Sequence, residues 1–184
     1  FKALPDQTTD HRFRIEHAQH LHPEDIPRFA ELGVIPAMQA IHLSSDRPWA
    51  IDRLGEKRIV EGAYMWQSLL QSGIPIVNGT DVPVEPLDPI ASLYASFTRK
   101  TLKGTPEGGY EPAEKMTREQ ALRSYTLDAA YGAFEEDIKG SITVGKLADF
   151  TVYNQDLMTV PEEDFLNTEV VMTIFDGNVV YQKE

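Results

Sequence analysis

His17 and Asp81 are the two residues whose types and positions best suit them to hold a metal ion. His17 lies in an alternating segment, residues 12–18, and Asp81 lies just beyond an apolar run at residues 74–78. A neutral imidazole and a carboxylate are suitable ligands for zinc or a similar divalent ion. The sequence therefore suggests a divalent metal site shared by two segments that are far apart along the chain.

Each candidate residue also has an ordinary structural explanation. A single histidine near the end of a strand more often makes a structural hydrogen bond, and a Gly-Thr-Asp sequence more often forms only a turn. His17, His20 and His22 could form a local metal cluster, although His22 is placed to cap the next helix. His42 could contact a substrate or a metal, or could be an exposed loop residue.

The elements that would position these residues alternate between strand and helix. We expect strands at residues 12–18, 34–41 and 74–78, helices from Pro23 to Gly33 and over 58–72, and a loop at 42–57. Such alternation predicts parallel strands with covering helices. Because one β/α unit takes roughly 30 residues, the spacing of His17 and Asp81 fits strands that are two positions apart. Their side chains would then meet at the carboxyl-terminal edge of the sheet, where chemistry collects in such folds.

The remainder of the chain changes character near residue 137. Helices are expected over residues 88–98, from Thr117 to about residue 125, and, as a second short helix, through Phe134, with a loop at 103–115. Beyond these, a strand and turn are expected at residues 140–145, and strands at 148–153, 170–175 and 179–181, with a hairpin turn at Asp176-Gly177. The predicted fold class is therefore α/β, with a first unit at residues 1–137 and a small all-β unit at 138–184.

Composition restricts the partners of the protein. The 184 residues carry a net charge of −12, which disfavours nucleic acids and anionic membrane surfaces. The chain has no cysteine, so a thiol nucleophile and Cys-ligated zinc are excluded. Apolar runs are too short to span a bilayer. The first ten residues resemble neither a start site nor a signal peptide, so we interpret the N-terminus as a cut, from which no compartment follows. A cytoplasmic location is the default expectation.

Three segments together resemble the C-terminal part of the metal-dependent amidohydrolases, in the family 3 (YtcJ-like) branch. Residues 12–19, Arg-Phe-Arg-Ile-Glu-His-Ala-Gln, are similar to the sixth-strand motif of that branch, and residues 78–81, Asn-Gly-Thr-Asp, are similar to its eighth-strand motif. Residues 139–152 and 176–181 are similar to the tail that follows the barrel. The resemblance covers essentially the whole chain.

The resemblance implies a (β/α)₈ barrel that holds one or two divalent ions, zinc above all. This chain would supply the last three barrel strands with their helices, and part of a β-sandwich domain. His17 and Asp81 would be metal ligands, and Asp81 would also be the catalytic acid and base. His42 remains a candidate for substrate binding from its position after the second strand, not from the resemblance. The family's other ligands, a first-strand His-x-His pair among them, have no counterpart here, so the chain is expected to be a fragment.

The activity implied for the intact protein is hydrolysis of an amide, N-formyl or cyclic amide bond in a small molecule by metal-activated water. The chain alone is expected to bind metal weakly, to be inactive, and to form a homo-oligomer through the exposed edge of its first strand. Two alternatives remain open. The chain could be a non-catalytic truncated homologue that binds or regulates, or it could complete its fold with another polypeptide.

Overall fold

Two three-stranded sheets organise the computed structural model, which describes residues 10–184. The first sheet is parallel, in the order β1 (Arg14–Glu16), β2 (Ile35–Met38) and β3 (Val77–Asn78). The second sheet is antiparallel, in the order β4 (Phe150–Tyr153), β5 (Val170–Phe175) and β6 (Asn178–Gln182). The predicted α/β class and the parallel pairing are confirmed, while the start of the predicted first unit, residues 1–9, lies outside the described residues.

Six α-helices lie in the described part of the chain. They are α1 (Ile26–Leu32), α2 (Ile41–Gly62), α3 (Trp66–Gln71), α4 (Pro89–Thr98), α5 (Arg118–Tyr125) and α6 (Leu127–Gly132). Short 3₁₀ helices occupy Pro23–Asp25, Pro112–Glu114 and Glu162–Asn167. None of the helices within residues 10–184 combines the length and the apolar character needed to cross a membrane.

Several boundaries follow from local capping, as the sequence predicts. The His22 side chain accepts a hydrogen bond from the Glu24 amide at the start of the first 3₁₀ helix, and Gly33 ends α1 with φ of 61°. Thr117 and Gln120 form a reciprocal capping box at the start of α5. These caps satisfy backbone groups that a helix terminus leaves unpaired.

The loop predicted at residues 42–57 is wrong, because α2 covers all of it. A Pro48 within the segment and a Gly55 with φ of 75° weaken its local helical signal, and Gly55 marks a kink. Tertiary contacts stabilise the helix nonetheless: Arg47 is buried and donates to the Glu111 carboxylate at 2.6 Å. The predicted helix at 58–72 is likewise two helices, the end of α2 and α3.

Residues 140–145 are expected to form a strand and a turn; the strand does not form, whereas the turn does, at residues 144–145. This segment forms bends and turns, and Gly140 and Gly145 have φ of 89° and 97°. Ile142 and Val144 alternate with polar residues, but their side chains are 87% and 104% exposed. Alternation alone makes no strand where a neighbouring strand does not supply hydrogen bonds.

The chain that follows β1 is held against the end of α2. The Tyr64 amide donates to the Gln19 carbonyl and the Leu21 amide donates to the Gly62 carbonyl, both at 2.8 Å. A Cβ atom on Gly62 would lie 2.0 Å from the Leu21 carbonyl oxygen. Only glycine therefore permits this close approach of two backbones.

Gly62→Ala is expected to destabilise the protein by about 1–3 kcal/mol, because the added methyl group collides with a backbone oxygen. This range is the net effect, after subtracting the gain of up to about 1 kcal/mol that alanine brings to a helix. Urea denaturation measures the difference. Gly79→Ala is the control, since a Cβ there meets nothing within 4 Å. Equal stability of the two variants would contradict the prediction.

Candidate metal centre

The carboxyl ends of three parallel strands meet at one edge of the first sheet. The register aligns Glu16 with Ala37 and Ala37 with Val77. His17 directly follows β1, and the chain beyond β2 leads into α2, whose second residue is His42. Asp81 follows β3 after a short turn. The sheet therefore directs three possible metal ligands to one place.

The ligand atoms of His17, His42 and Asp81 all lie within 4.8 Å of one another. The Nε2 atom of His42 is 3.8 Å from an Asp81 carboxylate oxygen, and the two imidazole rings are stacked with centroids 5.9 Å apart. The expected convergence of His17 and Asp81 is thus observed. The local cluster considered for His17, His20 and His22 is not formed, because the group found in residues 10–184 contains neither His20 nor His22.

Two of these residues have an unusual backbone conformation. His17 has φ of 67° and Asp81 has φ of 58°, both in the left-handed region. Ala18, next to His17, has φ of 39°. Such conformations cost free energy for residues other than glycine and are concentrated at functional sites. Here they turn the chain sharply out of each strand and over the edge of the sheet.

Asn78 ties the end of β3 to the start of α2. Its side-chain oxygen accepts hydrogen bonds from the Ala40 and Gly79 amides, both at 3.1 Å, and its amide donates to the Ser96 hydroxyl at 3.2 Å. Asn78 is buried, so losing these bonds would leave polar groups unpaired. Asn78 therefore helps to set the position of His42 relative to Asp81.

Glutamine side chains contact both histidines at their Nδ1 atoms. His17 Nδ1 lies 2.7 Å from Gln39 Oε1, and His42 Nδ1 lies 3.3 Å from Gln19 Oε1. The sequence reasoning missed both glutamines. Gln39 carried a signal, since it is a polar residue inside the apolar run 34–41.

Behind Gln19 lies a further polar layer that sequence reasoning did not find. The Gln19 amide nitrogen donates to an Asp46 carboxylate oxygen at 3.2 Å and to the Tyr64 hydroxyl at 3.0 Å. Burial raises the pKa of Tyr64, and the nearby negative charge of Asp46 raises it further. The Tyr64 hydroxyl therefore stays neutral at physiological pH.

The surroundings of His42 indicate whether these residues are suited to bind a cation. Its side chain is buried, contrary to the exposed loop residue considered above, and its Nε2 atom has no hydrogen-bond partner among the described residues. A buried polar atom without a partner costs free energy. The atom faces the Asp81 carboxylate, whose side chain is 35% exposed. An imidazole nitrogen and a carboxylate oxygen in this arrangement are suited to bind a divalent ion between them.

A family model described as the amidohydrolase family matches residues 2–181. The chain belongs to the amidohydrolase family. This confirms the resemblance to amidohydrolase family 3, which rested on the motifs around His17, Asp81 and residues 139–152.

Relatives of this amidohydrolase chain are considerably longer than the chain itself. It is 33% identical to the Bacillus subtilis (strain 168) protein YtcJ, described as an amidohydrolase, over 170 residues, which are 92% of this chain and 32% of YtcJ. It is 26% identical to the N-substituted formamide deformylase of Arthrobacter pascens over 185 residues, covering 100% of this chain and 33% of that protein. The chain therefore spans about a third of the length of these relatives.

The amidohydrolase chain is also similar to a solved structure, an uncharacterized metal-dependent hydrolase from Pyrococcus horikoshii OT3. The TM-score is 0.71 at 30% sequence identity, covering 82% of this chain and 30% of that one. A TIM-barrel-related fold follows from this likeness together with the parallel sheet and its helices. The catalytic edge of such folds is the carboxyl end of the strands, which is where His17, His42 and Asp81 lie.

Proposed function

We propose that this chain is the C-terminal portion of a metal-dependent hydrolase that cleaves non-peptide carbon–nitrogen bonds in small molecules. The observation that carries the proposal is the convergence of His17, His42 and Asp81 at the carboxyl edge of the parallel sheet. Membership of the amidohydrolase family supports the type of reaction. His17 and Asp81 would be metal ligands, and Asp81 would also be the catalytic residue.

The chain would consist of two parts that belong to different domains of the whole protein. Residues up to 137 would form the last three strands and helices of a (β/α)₈ barrel, and residues 138–184 would form part of a β-sandwich domain. The separate pairing of the two sheets supports this division. So does the change from parallel to antiparallel strands after α6.

Zinc is the ion that best fits two imidazoles and a carboxylate, and when bound it polarises a carbonyl group and lowers the pKa of water. Asp81 would accept the proton of the attacking water as general base. As the bond between the carbonyl carbon and nitrogen breaks, Asp81 would return that proton to the leaving nitrogen. His17 would hold the ion, and His42 would face the ion or the substrate from the buried side of the site.

N-formyl amines are the first substrates to test, because one relative is named as a deformylase of N-substituted formamides. Hydrolysis of such a compound would release formate and an amine. Other N-acyl amines and cyclic amides undergo the same overall cleavage and form the rest of the panel.

The 184-residue chain is expected to bind zinc weakly, because it offers three ligand atoms and two of the three residues, His17 and Asp81, are accessible to solvent. At 100 times the dissociation constant, zinc should raise the free energy of unfolding by about 2.7 kcal/mol. His17→Asn and Asp81→Asn should remove this increase, because each removes a proposed zinc ligand. Asparagine is chosen because it tolerates the left-handed backbone at both positions. Thermal denaturation with and without zinc measures it.

His22→Asn is the matched control for the zinc measurement. His22 caps the first 3₁₀ helix and lies outside the ligand group, so this variant should keep the zinc effect. Zinc that remains bound at one equivalent after dialysis would show that the weak-binding expectation is wrong. Equal zinc effects in the wild type and the Asp81→Asn variant would remove Asp81 from the site.

The natural full-length protein that carries this chain is expected to hydrolyse members of the N-formyl and N-acyl amine panel, and a chelator should abolish the activity. Asp81→Asn should lower kcat by about 10²–10⁴-fold, because it removes the general base. Amine release measures the rate. A full-length protein that binds zinc but hydrolyses none of the panel would favour a non-catalytic binding or regulatory role.

Strand β1 is an edge strand in the described residues, pairing with β2 alone. Its residues Arg14–Glu16 are all exposed, and exposed strand edges pair with other chains. We expect the 184-residue chain to dimerise through this edge, and light scattering gives the mass. Ile15→Lys should shift the chain to monomer, whereas Val60→Lys, which replaces an exposed apolar residue on α2, should not. A monomeric wild type would contradict the expectation.

A further inference from the structure

The orientation of the Gln19 side chain is determined by its neighbours. A carboxylate at neutral pH only accepts hydrogen bonds, so the Gln19 group that faces Asp46 at 3.2 Å must be its NH₂ group. The same nitrogen lies 3.0 Å from the Tyr64 hydroxyl, which can accept a second bond. The Gln19 carbonyl oxygen therefore points the other way, toward His42.

This orientation decides where His42 carries its proton. The Gln19 oxygen lies 3.3 Å from His42 Nδ1, and an amide oxygen only accepts hydrogen bonds. His42 Nδ1 must therefore carry the hydrogen, and in the neutral ring Nε2 is left with a lone pair. That lone pair belongs to the buried atom 3.8 Å from the Asp81 carboxylate. Free histidine prefers the opposite tautomer, so the protein reverses an intrinsic preference.

The parts of this chain of hydrogen bonds are held by the fold. Asp46 lies four residues after His42 in α2, so both side chains are on the same face of the helix. Gln19 is fixed by the bond between its own carbonyl and the Tyr64 amide. Tyr64 is 1% exposed, which limits the movement of the whole group.

The geometry points to Asp46 and Gln19 as positioning residues that keep the His42 proton on Nδ1 and present Nε2 toward Asp81. This makes His42 a third group for the cation, the first of the two roles, metal or substrate contact, that the sequence left open for it. The assignment of a cation rests on the proposed function, whereas the tautomer itself does not. A histidine that ligates a metal is commonly held in this way, by a hydrogen bond from its other ring nitrogen.

The contact between His17 and Gln39 provides a comparison within the same site. Gln39 Oε1 lies 2.7 Å from His17 Nδ1, but the Gln39 amide nitrogen has no hydrogen-bond partner among the described residues. Its orientation is therefore not imposed by a carboxylate. The hydrogen bond from Gln19 to Asp46 orients only the group that contacts His42, so the two histidines can be tested separately.

Nitrogen-15 NMR of the imidazole rings in the metal-free 184-residue chain, at a pH where histidine is neutral, reads the tautomer directly. His42 is assigned by the loss of its signals in His42→Asn. The wild type should show a proton on Nδ1 of His42. Gln19→Leu should return His42 mainly to the Nε2-protonated form, and Asp46→Asn should give a mixture, because asparagine can present either group to Gln19.

A charge-conserving double variant tests the mechanism of positioning. Gln19→Glu combined with Asp46→Asn restores an acceptor for His42 Nδ1 and a donor behind it, so the wild-type tautomer should return. Gln39→Leu is the matched control, and it should leave the His42 signals unchanged while altering those of His17. A wild-type far-ultraviolet circular dichroism spectrum shows that each variant is folded.

Two results would overturn the inference: a wild-type His42 protonated on Nε2, or an unchanged His42 tautomer in both Gln19→Leu and Asp46→Asn. Zinc titration then tests the cation separately. Gln19→Leu should weaken zinc binding by about 10–100-fold relative to the wild type. Gln39→Leu measures separately the loss of zinc binding that comes from disturbing His17. If the tautomer is as expected but zinc shifts neither His17 nor His42, the proposed metal function fails and the positioning of His42 stands.

Discussion

Backbone hydrogen bonds between β2 and its two neighbours hold the ends of three strands at one edge of the sheet. Every ligand atom of the candidate centre depends on that register, since adjacent strand residues are about 3.3 Å apart and point to opposite faces. A slip of one residue between β1 and β2 would turn His17 to the other face. A slip of two would move it by about 6.6 Å, more than the 4.8 Å that separates the ligand atoms. The short strands β1 and β3 thus matter more for function than their length suggests.

Buried polar contacts convert that register into a defined arrangement of side chains. Asn78 connects β3 to α2, and Gln19 connects the segment after β1 to Asp46 on α2. The support extends further, because the Arg99 guanidinium donates to the Tyr64 carbonyl at 2.7 Å and Arg99 also pairs with Glu111. Burial lowers the pKa of Arg99 to about 10, so it remains charged at neutral pH. Its charge is balanced by a carboxylate and backbone oxygens, as a buried cation requires.

The candidate centre contains backbone and side-chain features that lower the stability of the protein. His17 and Asp81 occupy left-handed backbone conformations, and the His42 Nε2 atom is buried opposite a carboxylate without a hydrogen bond. Each feature costs free energy in a protein without a cation. The core beside these residues is well packed: β2 is fully buried, and Trp66, Leu69 and Ile76 lie in the core. The stability of that core can offset the cost of the site.

The sequence by itself determined the alternation of strands and helices, the caps at His22, Gly33 and Thr117, and the convergence of His17 with Asp81. These depend on apolar periodicity, on turn residues and on the rule that parallel strands share a carboxyl edge. Only the tertiary structure decided that residues 42–57 are helical, because Arg47 finds its partner Glu111 far along the chain. It also decided the direction of the His42 lone pair, since that depends on Gln19 and Asp46, which are 27 positions apart. Local patterns specify which elements form, whereas the orientation of a polar group is set by the partner that the folded chain places opposite it.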